Sequence, residues 1–312
     1  MPAEKPGKKS NIHTIDLNYK ENPGAICAYL IPHERGGILI ETGPAITIPA
    51  LISGIQAHHL SVKDITDVLV THIHLDHAGA SGWLARQGAR IHVHPQGAPH
   101  LVNPEKLLAS ALRLYGEEMH NLWGEFLPVP EEQICIPSDG EEIRIEGLRI
   151  KPLDTPGHAY HHFTYISQEV CFTGDICGVR VPGTRYLRLP MPPPELHFEI
   201  WRDSVKRLRA ELEKGSFNRL ALTHFGLFDD PEWHLDAVEG ALNATEEWAL
   251  KVMPFDPPIE EIRADYIAWE EERTRNSGLE PDKVITLDVA NGSWMAAYGI
   301  NRYWQKVRKV AS

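Results

Sequence analysis

Three things are scarce in this 312-residue sequence. Long apolar runs are missing: no window approaches eighteen uninterrupted hydrophobic residues, so no membrane-spanning helix is expected. Positive charge is in deficit, with 31 Lys and Arg against 43 Asp and Glu for a net charge of −12. Such a surface repels phosphate backbones, so nucleic acid is not an expected partner. The short basic stretch "KPGKK" at residues 5–9 reads as a frayed tail. Cysteine is sparse, at four residues (Cys27, Cys135, Cys171 and Cys177) without metal-finger spacing. With no export signal apparent in the first thirty residues, they are expected to be reduced core thiols in a cytoplasmic protein. Internal repeats and low-complexity tracts are also absent.

Apolar residues make up 42 % of the chain, enough for a sizeable core. The runs "IHTIDLNY", "ICAYLIPH" and "GGILIETG" read as an antiparallel meander. "ITIPALISGIQAHHL" has helical spacing, "ITDVLVTH" is a buried strand, "GASGWLARQG" is a short helix ended by Gly88, and "ARIHVHP" is a strand stopped by Pro95. Residues 105–126 read as helical. "EEIRIEGLRIKPLDTPGH" is a hairpin about Gly147, and "HHFTYIS" pairs with "EVCFTGD". "LHFEIWRDSVKRLRAELEKG" is an amphipathic helix, "RLALTH" a final strand, and three helical segments follow from Asp230, with Pro231 at the first helical position. Two groups of strands, each followed by helices, predict an α+β protein of two sheets packed face to face with helices outside.

The stretch "THIHLDHAG" (residues 71–79) holds three histidines and an aspartate within six residues. His72 and His74 are two apart at a strand end, so both rings point to one side. Asp76 and His77 follow where the strand yields to a small-residue helix start. Nitrogen and oxygen donors of this kind suit zinc, otherwise iron or manganese. Adjacent Asp76 and His77 must face away from the His72/His74 side, so two ions fit better than one. Further donors at strand ends are His158 in "DTPGHA", Asp175 in "FTGD" and His224 in "LTHFG". Asp175, as a carboxylate, can bridge two ions.

"THIHLDH", "TPGH", "TGD" and "LTHFG", in that order, resemble the metal motifs of the metallo-β-lactamase-fold hydrolase superfamily, over about residues 12–228. The layout also resembles glyoxalase II and related thioesterases, which carry a helical C-terminal part. The resemblance implies a four-layer αβ/βα sandwich, with residues 12–228 as catalytic domain and residues 229–312 as a helical extension packed on it. It implies that His72, His74 and His158 hold one divalent ion, that Asp76, His77 and His224 hold a second, and that Asp175 bridges them. Water between the two ions would act as hydroxide on an ester, thioester or lactone, with Asp76 orienting it. "ETGP" at 41–44 resembles the family's first motif, which usually has Asp where this chain has Glu41. A contact orienting a ligand or loop is expected of Glu41.

Two other readings remain at this level: a mononuclear-iron thiol persulfide dioxygenase, whose ligand set overlaps, and a non-enzymatic metabolite sensor. A small-molecule substrate is expected, and the chain is a candidate homodimer. Tyr115, Met119, Trp123 and Phe126 are core or pocket lining. Arg180, Arg185 and Arg188, on the loop after Asp175, are solvated charges or contacts for an anionic substrate. His161 or His162 is a candidate to face the pocket. His92 and His94 are expected at a strand edge or behind a ligand rather than at a separate metal site.

Overall fold

The computed structural model describes residues 11–309; the basic tail at residues 5–9 lies outside them. The first half runs β1 (His13–Asp16), β2 (Cys27–His33), β3 (Gly36–Ile40), α1 (Ile48–Ala57), β4 (Ile65–Leu69), α2 (Leu75–Ala78), α3 (Ser81–Arg86), β5 (Arg90–His92), α4 (Ala98–Val102), α5 (Glu105–Tyr115), α6 (Met119–Trp123) and β6 (Ile134–Cys135). The second half runs β7 (Ile143–Ile145), β8 (Leu148–Asp154), β9 (Phe163–Ser167), β10 (Val170–Phe172), α7 (Phe198–Glu213), β11 (Arg219–Leu222) and β12 (Gly226–Phe228). Helices α8 (Pro231–Val252), α9 (Ile259–Asn276), α10 (Pro281–Ala290) and α11 (Trp294–Tyr303) follow.

Strands β1 to β6 form one sheet in sequence order; the other runs β12-β11-β10-β9-β8-β7. Each sheet is mixed. β1–β2–β3 is antiparallel and β3–β4–β5–β6 parallel, while parallel β10–β11 interrupts an otherwise antiparallel second sheet. The alternation within β2 shows why two sheets stack. Cys27, Tyr29 and Ile31 enter the core between the sheets with Phe163, Tyr165 and Phe172 of the other sheet. Ala28 and Leu30 point the opposite way, into the core shared with α1 and α3. On the far side, α7 buries Phe198, Trp201, Val205 and Leu208, a helical stripe, against β8, β10 and β11. Each fully buried side chain of this size contributes roughly 1.5–3 kcal/mol of transfer free energy. The result is the expected four-layer αβ/βα sandwich.

The structure corrects several details. The helical segment read over residues 105–126 ends at Trp123, and Gly116 (φ 55) divides it into α5 and α6. "RLALTH" is not the last strand, because the chain turns back as β12. The two-residue β6 has too little pattern to be read from sequence. Among the described residues, four α-helices rather than three follow Asp230. Helices α8, α9 and α11 share one core with the second sheet, in which Leu235, Val238 and Ile300 pack with Leu220 and Leu222, whereas α10 sets Leu287 against Val179 and Val181. No helix among the described residues is long and apolar enough to cross a membrane.

Candidate metal centre

Loops leaving both sheets meet at one edge. His72 and His74 lie on the segment after β4. Asp76 and His77 lie inside the short α2 rather than ahead of a helix. His158 follows β8, Asp175 follows β10, and His224 sits between β11 and β12. Two glycines of the motifs are required by the approach of other chain. Gly157 has φ 135, and a β-carbon there would lie 2.4 Å from the Trp201 Cα of α7. Gly174 has φ 50, and a β-carbon would meet Thr71 Oγ1 at 2.4 Å and His162 Nε2 at 2.7 Å.

All seven expected donors converge. His72, His74 and His158 form one compact donor group; Asp76, His77 and His224 form another; Asp175 groups with His72 and His77. His74 Nδ1 is 2.9 Å from Nε2 of both His72 and His158. Asp175 divides its oxygens: Oδ2 is 3.3 Å from His158 Nε2, whereas Oδ1 is 3.2 Å from His77 Nε2 and 3.4 Å from His224 Nε2. Asp76 Oδ2 completes the second group, 3.5 Å from His224 Nε2 and 3.7 Å from His77 Nε2.

Behind four of the five histidine donors, the other ring nitrogen is tied down. His72 Nδ1 donates to Thr71 Oγ1 at 3.0 Å, His158 Nδ1 to the Pro190 carbonyl at 2.8 Å, and His224 Nδ1 to the Ala25 carbonyl at 2.9 Å. His77 Nδ1 donates to Glu41 Oε1 at 3.0 Å. These bonds fix the tautomers so that Nε2 carries a lone pair toward the cluster. His77 Nε2 and Asp175 Oδ1 are buried and not aligned as a hydrogen bond, so both lack a partner. Buried donors and acceptors left bare cost free energy unless something binds them. The set therefore fits divalent metal ions.

The electrostatics agree. Burial and the charges of His77 and His74 hold His72 well below the usual histidine range. Burial and His158 push His74 down to about 3. Burial works against ionisation of Asp175 and Asp76, but His77 in both cases, with His158 and His224 for Asp175, outweighs it. Asp175 lies well below the usual carboxylate range and Asp76 at about 2. Burial also opposes charging His77 and His224, yet Asp175 and the other carboxylates raise both. The carboxylates thus draw positive charge into the middle of the cluster, where a metal would supply it.

Glu41 is buried behind the cluster and touches one of its rings. Its Oε1 accepts from His77, from Thr71 Oγ1 and from Thr223 Oγ1 at 3.1 Å, and its Oε2 from the Thr71 amide at 3.2 Å. A positive φ of 67 at Glu41 turns the side chain into this position. Thr71 and Thr223 were not singled out from sequence. The signal was there: each stands immediately before a donor histidine, as "TH". His161 is buried at the cluster, its ring 5.4 Å from that of His74, with Nε2 3.5 Å from Glu195 Oε2 and Nδ1 unpartnered.

The arginines are a correction. Arg180 is not solvated: its amide donates to the His224 carbonyl at 2.7 Å, but its buried guanidinium is forked onto Asp230 at 2.6 and 3.0 Å and stacked on Phe228 and Trp233, and is not part of the cavity lining. Arg188 is buried against Glu270, Asp288 and Thr274, and only Arg185 is exposed. His92 and His94 pair with Asp67 and Asp154 at 2.7 and 3.2 Å. His162 bonds Thr155. The cysteines are all unpaired thiols, and three of the four are buried. Tyr115 and Trp123 line a cavity of about 320 Å³ open to Asp76, His158 and Asp175, while Phe126 is core.

The family model for the metallo-beta-lactamase superfamily matches residues 22–216. A metallo-beta-lactamase fold-containing protein of Sulfurisphaera tokodaii is 24 % identical over 200 residues, covering 63 % of this chain and 72 % of that one. A hydroxyacylglutathione hydrolase of Xylella fastidiosa is 27 % identical over 65 % of this chain. An atrochrysone carboxyl ACP thioesterase of Aspergillus fumigatus is 30 % identical over 47 % of it. The chain spans only 63 % and 28 % of those two proteins' own lengths. Among solved structures, a metallo-beta-lactamase family protein of Thermus thermophilus superposes with a TM-score of 0.61 at 21 % identity, over 95 % of this chain and 93 % of that one. That coverage is too large to omit the C-terminal helices. With the fold, the donor set and the sequence match in agreement, this chain belongs to the metallo-beta-lactamase superfamily, a family of metal-dependent hydrolases.

Proposed function

We propose that the protein is a dinuclear hydrolase of an ester, thioester or lactone. His72, His74 and His158 would hold one ion and Asp76, His77 and His224 the other, with Asp175 placed to offer an oxygen to each. The observation that carries this reading is the division of the Asp175 oxygens, Oδ2 toward His158 and Oδ1 toward His77 and His224. Mixed imidazole and carboxylate donors favour zinc. Bound there, two divalent ions lower the pKa of water to near neutrality and polarise a carbonyl.

The chain's own residues do the rest. Asp76 is the more exposed of the two cluster carboxylates, with 20 % of its side chain accessible against 4 % for Asp175. It faces the cavity and is held ionised by His77 and His224, so it accepts the hydrogen bond that orients the attacking water. Glu41 keeps His77 in one tautomer. The apolar cavity excludes bulk water from the carbonyl under attack. The carboxyl ACP thioesterase and the hydroxyacylglutathione hydrolase among the relatives support a carbonyl substrate.

Mild purification, elemental analysis and a screen of thioesters, lactones, aryl esters and phosphodiesters test the reading. About two divalent ions per chain and carbonyl hydrolysis are expected. One iron per chain with oxygen uptake overturns it, as does turnover that survives Asp76→Ala.

A further inference from the structure

The cavity beside the cluster is walled by aromatic rings from three distant parts of the chain. Tyr19 stacks on Trp123 with ring centres 5.8 Å apart and planes 12° from parallel. Tyr115 meets Trp123 edge-on at 5.1 Å and Trp294 edge-on at 6.1 Å. Its hydroxyl donates to Met295 Sδ at 3.7 Å. The Trp123 indole N–H is buried without a partner. Tyr19 reaches this wall from a turn in which Asn18, Lys20 and Glu21 all have left-handed backbone, φ 46, 52 and 59. Three non-glycine residues so placed within four positions are a conformation the surroundings must enforce. The turn buries Tyr19 against Trp123 and sets Lys20 on the same cavity.

Outside the metal cluster the charge on the lining leans positive: Asp288 is engaged by Arg188 at 2.6 Å, which leaves Lys20 and Lys106 against Glu195, whose carboxylate accepts from the Tyr160 amide at 2.8 Å. Asp76 and Asp175 belong to the metal cluster. Lys20 and Lys106, both exposed, line the cavity with no carboxylate of the described residues within ion-pair distance. In a chain of net charge −12, two such lysines at one cavity mark a place for an anion.

We propose that this cavity selects substrates whose scissile carbonyl is attached to a flat aromatic or conjugated ring system bearing a second, anionic group. The ring lies against Tyr115, Trp123 and Trp294, and the anion reaches Lys20 and Lys106. The assignment of the carbonyl rests on the hydrolase reading above; the assignment of ring and anion rests on the wall itself. Ring faces and edges reward a flat partner beyond its buried area, which an aliphatic chain of equal length does not gain.

Calorimetric titration of the metal-loaded protein with three product-like acids tests this: naphthalene-2,6-dicarboxylate, naphthalene-2-carboxylate and adipate. The naphthalene dicarboxylate is expected to bind roughly tenfold more tightly than adipate. Lys106→Gln, at an exposed site, should weaken the dicarboxylate about 2–5-fold and the monocarboxylate little. Trp123→Leu should weaken both naphthalene acids and spare adipate, with metal content and circular dichroism as controls of folding. Adipate binding as tightly as the naphthalene dicarboxylate overturns the proposal, as does Lys106→Gln weakening all three acids equally. Thioester turnover without the ring preference removes this inference alone. Ring preference without hydrolysis of any ester removes the hydrolase reading and leaves the ring-and-anion assignment standing.

Discussion

Glu41 and His77 are joined at 3.0 Å, Oε1 to Nδ1, at a position with almost no solvent access. The bond turns a carboxylate outside the donor set into the part that orients one of its rings. Glu41→Gln should keep the fold but lower affinity for one ion about 10–100-fold. Chelator competition measures it, and unchanged affinity would show that His77 needs no such partner.

Asp175 and His224 should differ in what they release. His224→Ala is expected to retain about one ion per chain, because the His72, His74 and His158 group is untouched. Asp175→Ala strips a donor from both groups and should fall well below one. Equal metal content in the two variants would contradict the bridging role.

Gly157→Ala places a β-carbon 2.4 Å from the Trp201 backbone and forces a residue with φ 135 into strain. Loss of stability of roughly 1–3 kcal/mol is expected, with reduced metal content because His158 is the next residue. Thermal denaturation of the metal-free and metal-loaded forms separates the two effects.

Glu211, at the end of α7, accepts from Lys151 and Lys214 at 2.9 Å and from Ser216 at 2.8 Å. Although its burial favours the neutral form, these donors hold its carboxyl at about 2. A depressed pKa adds stability that is fully present above the unfolded value and fades as pH falls toward 2. The lysines are partly exposed, so the net is roughly 1 kcal/mol. Glu211→Gln should lower Tm at pH 7, and the gap from the parent should close between about pH 4.5 and 2.

Arg188 ties the loop after Asp175 to α9 and α10 through Glu270, Thr274 and Asp288. Removing one partner of a buried pair strands the other, so Arg188→Ala should cost about 3 kcal/mol. Hydrogen exchange should rise first over residues 259–290; a uniform rise across the chain would speak against a local brace.

The donor set was legible in sequence because its spacing is local: H-x-H-x-D-H places four donors by backbone geometry alone, and the later motifs each end a strand. Other features depend on partners remote in the chain. Arg180 and Arg188 looked like loop charges because nothing near them foretells Asp230 or Glu270. β6 and β12 are two and three residues long, too short for an alternation to register. The break at Gly116 needed its φ of 55, which a helical period masks. The pocket wall joins residue 19 to residue 294, and no local pattern announces that meeting.

That wall has a consequence for how such a protein changes over generations. The donors come from strand ends of the two sheets, whereas Tyr19, Trp123 and Trp294 come from an N-terminal turn, an inserted helix pair and the C-terminal helices. Substitutions in those three segments can redraw what is admitted without disturbing the reacting centre. On the reading proposed above, reactivity and selectivity are separately mutable, and a new diet is within reach of a few changes in segments outside the donor set.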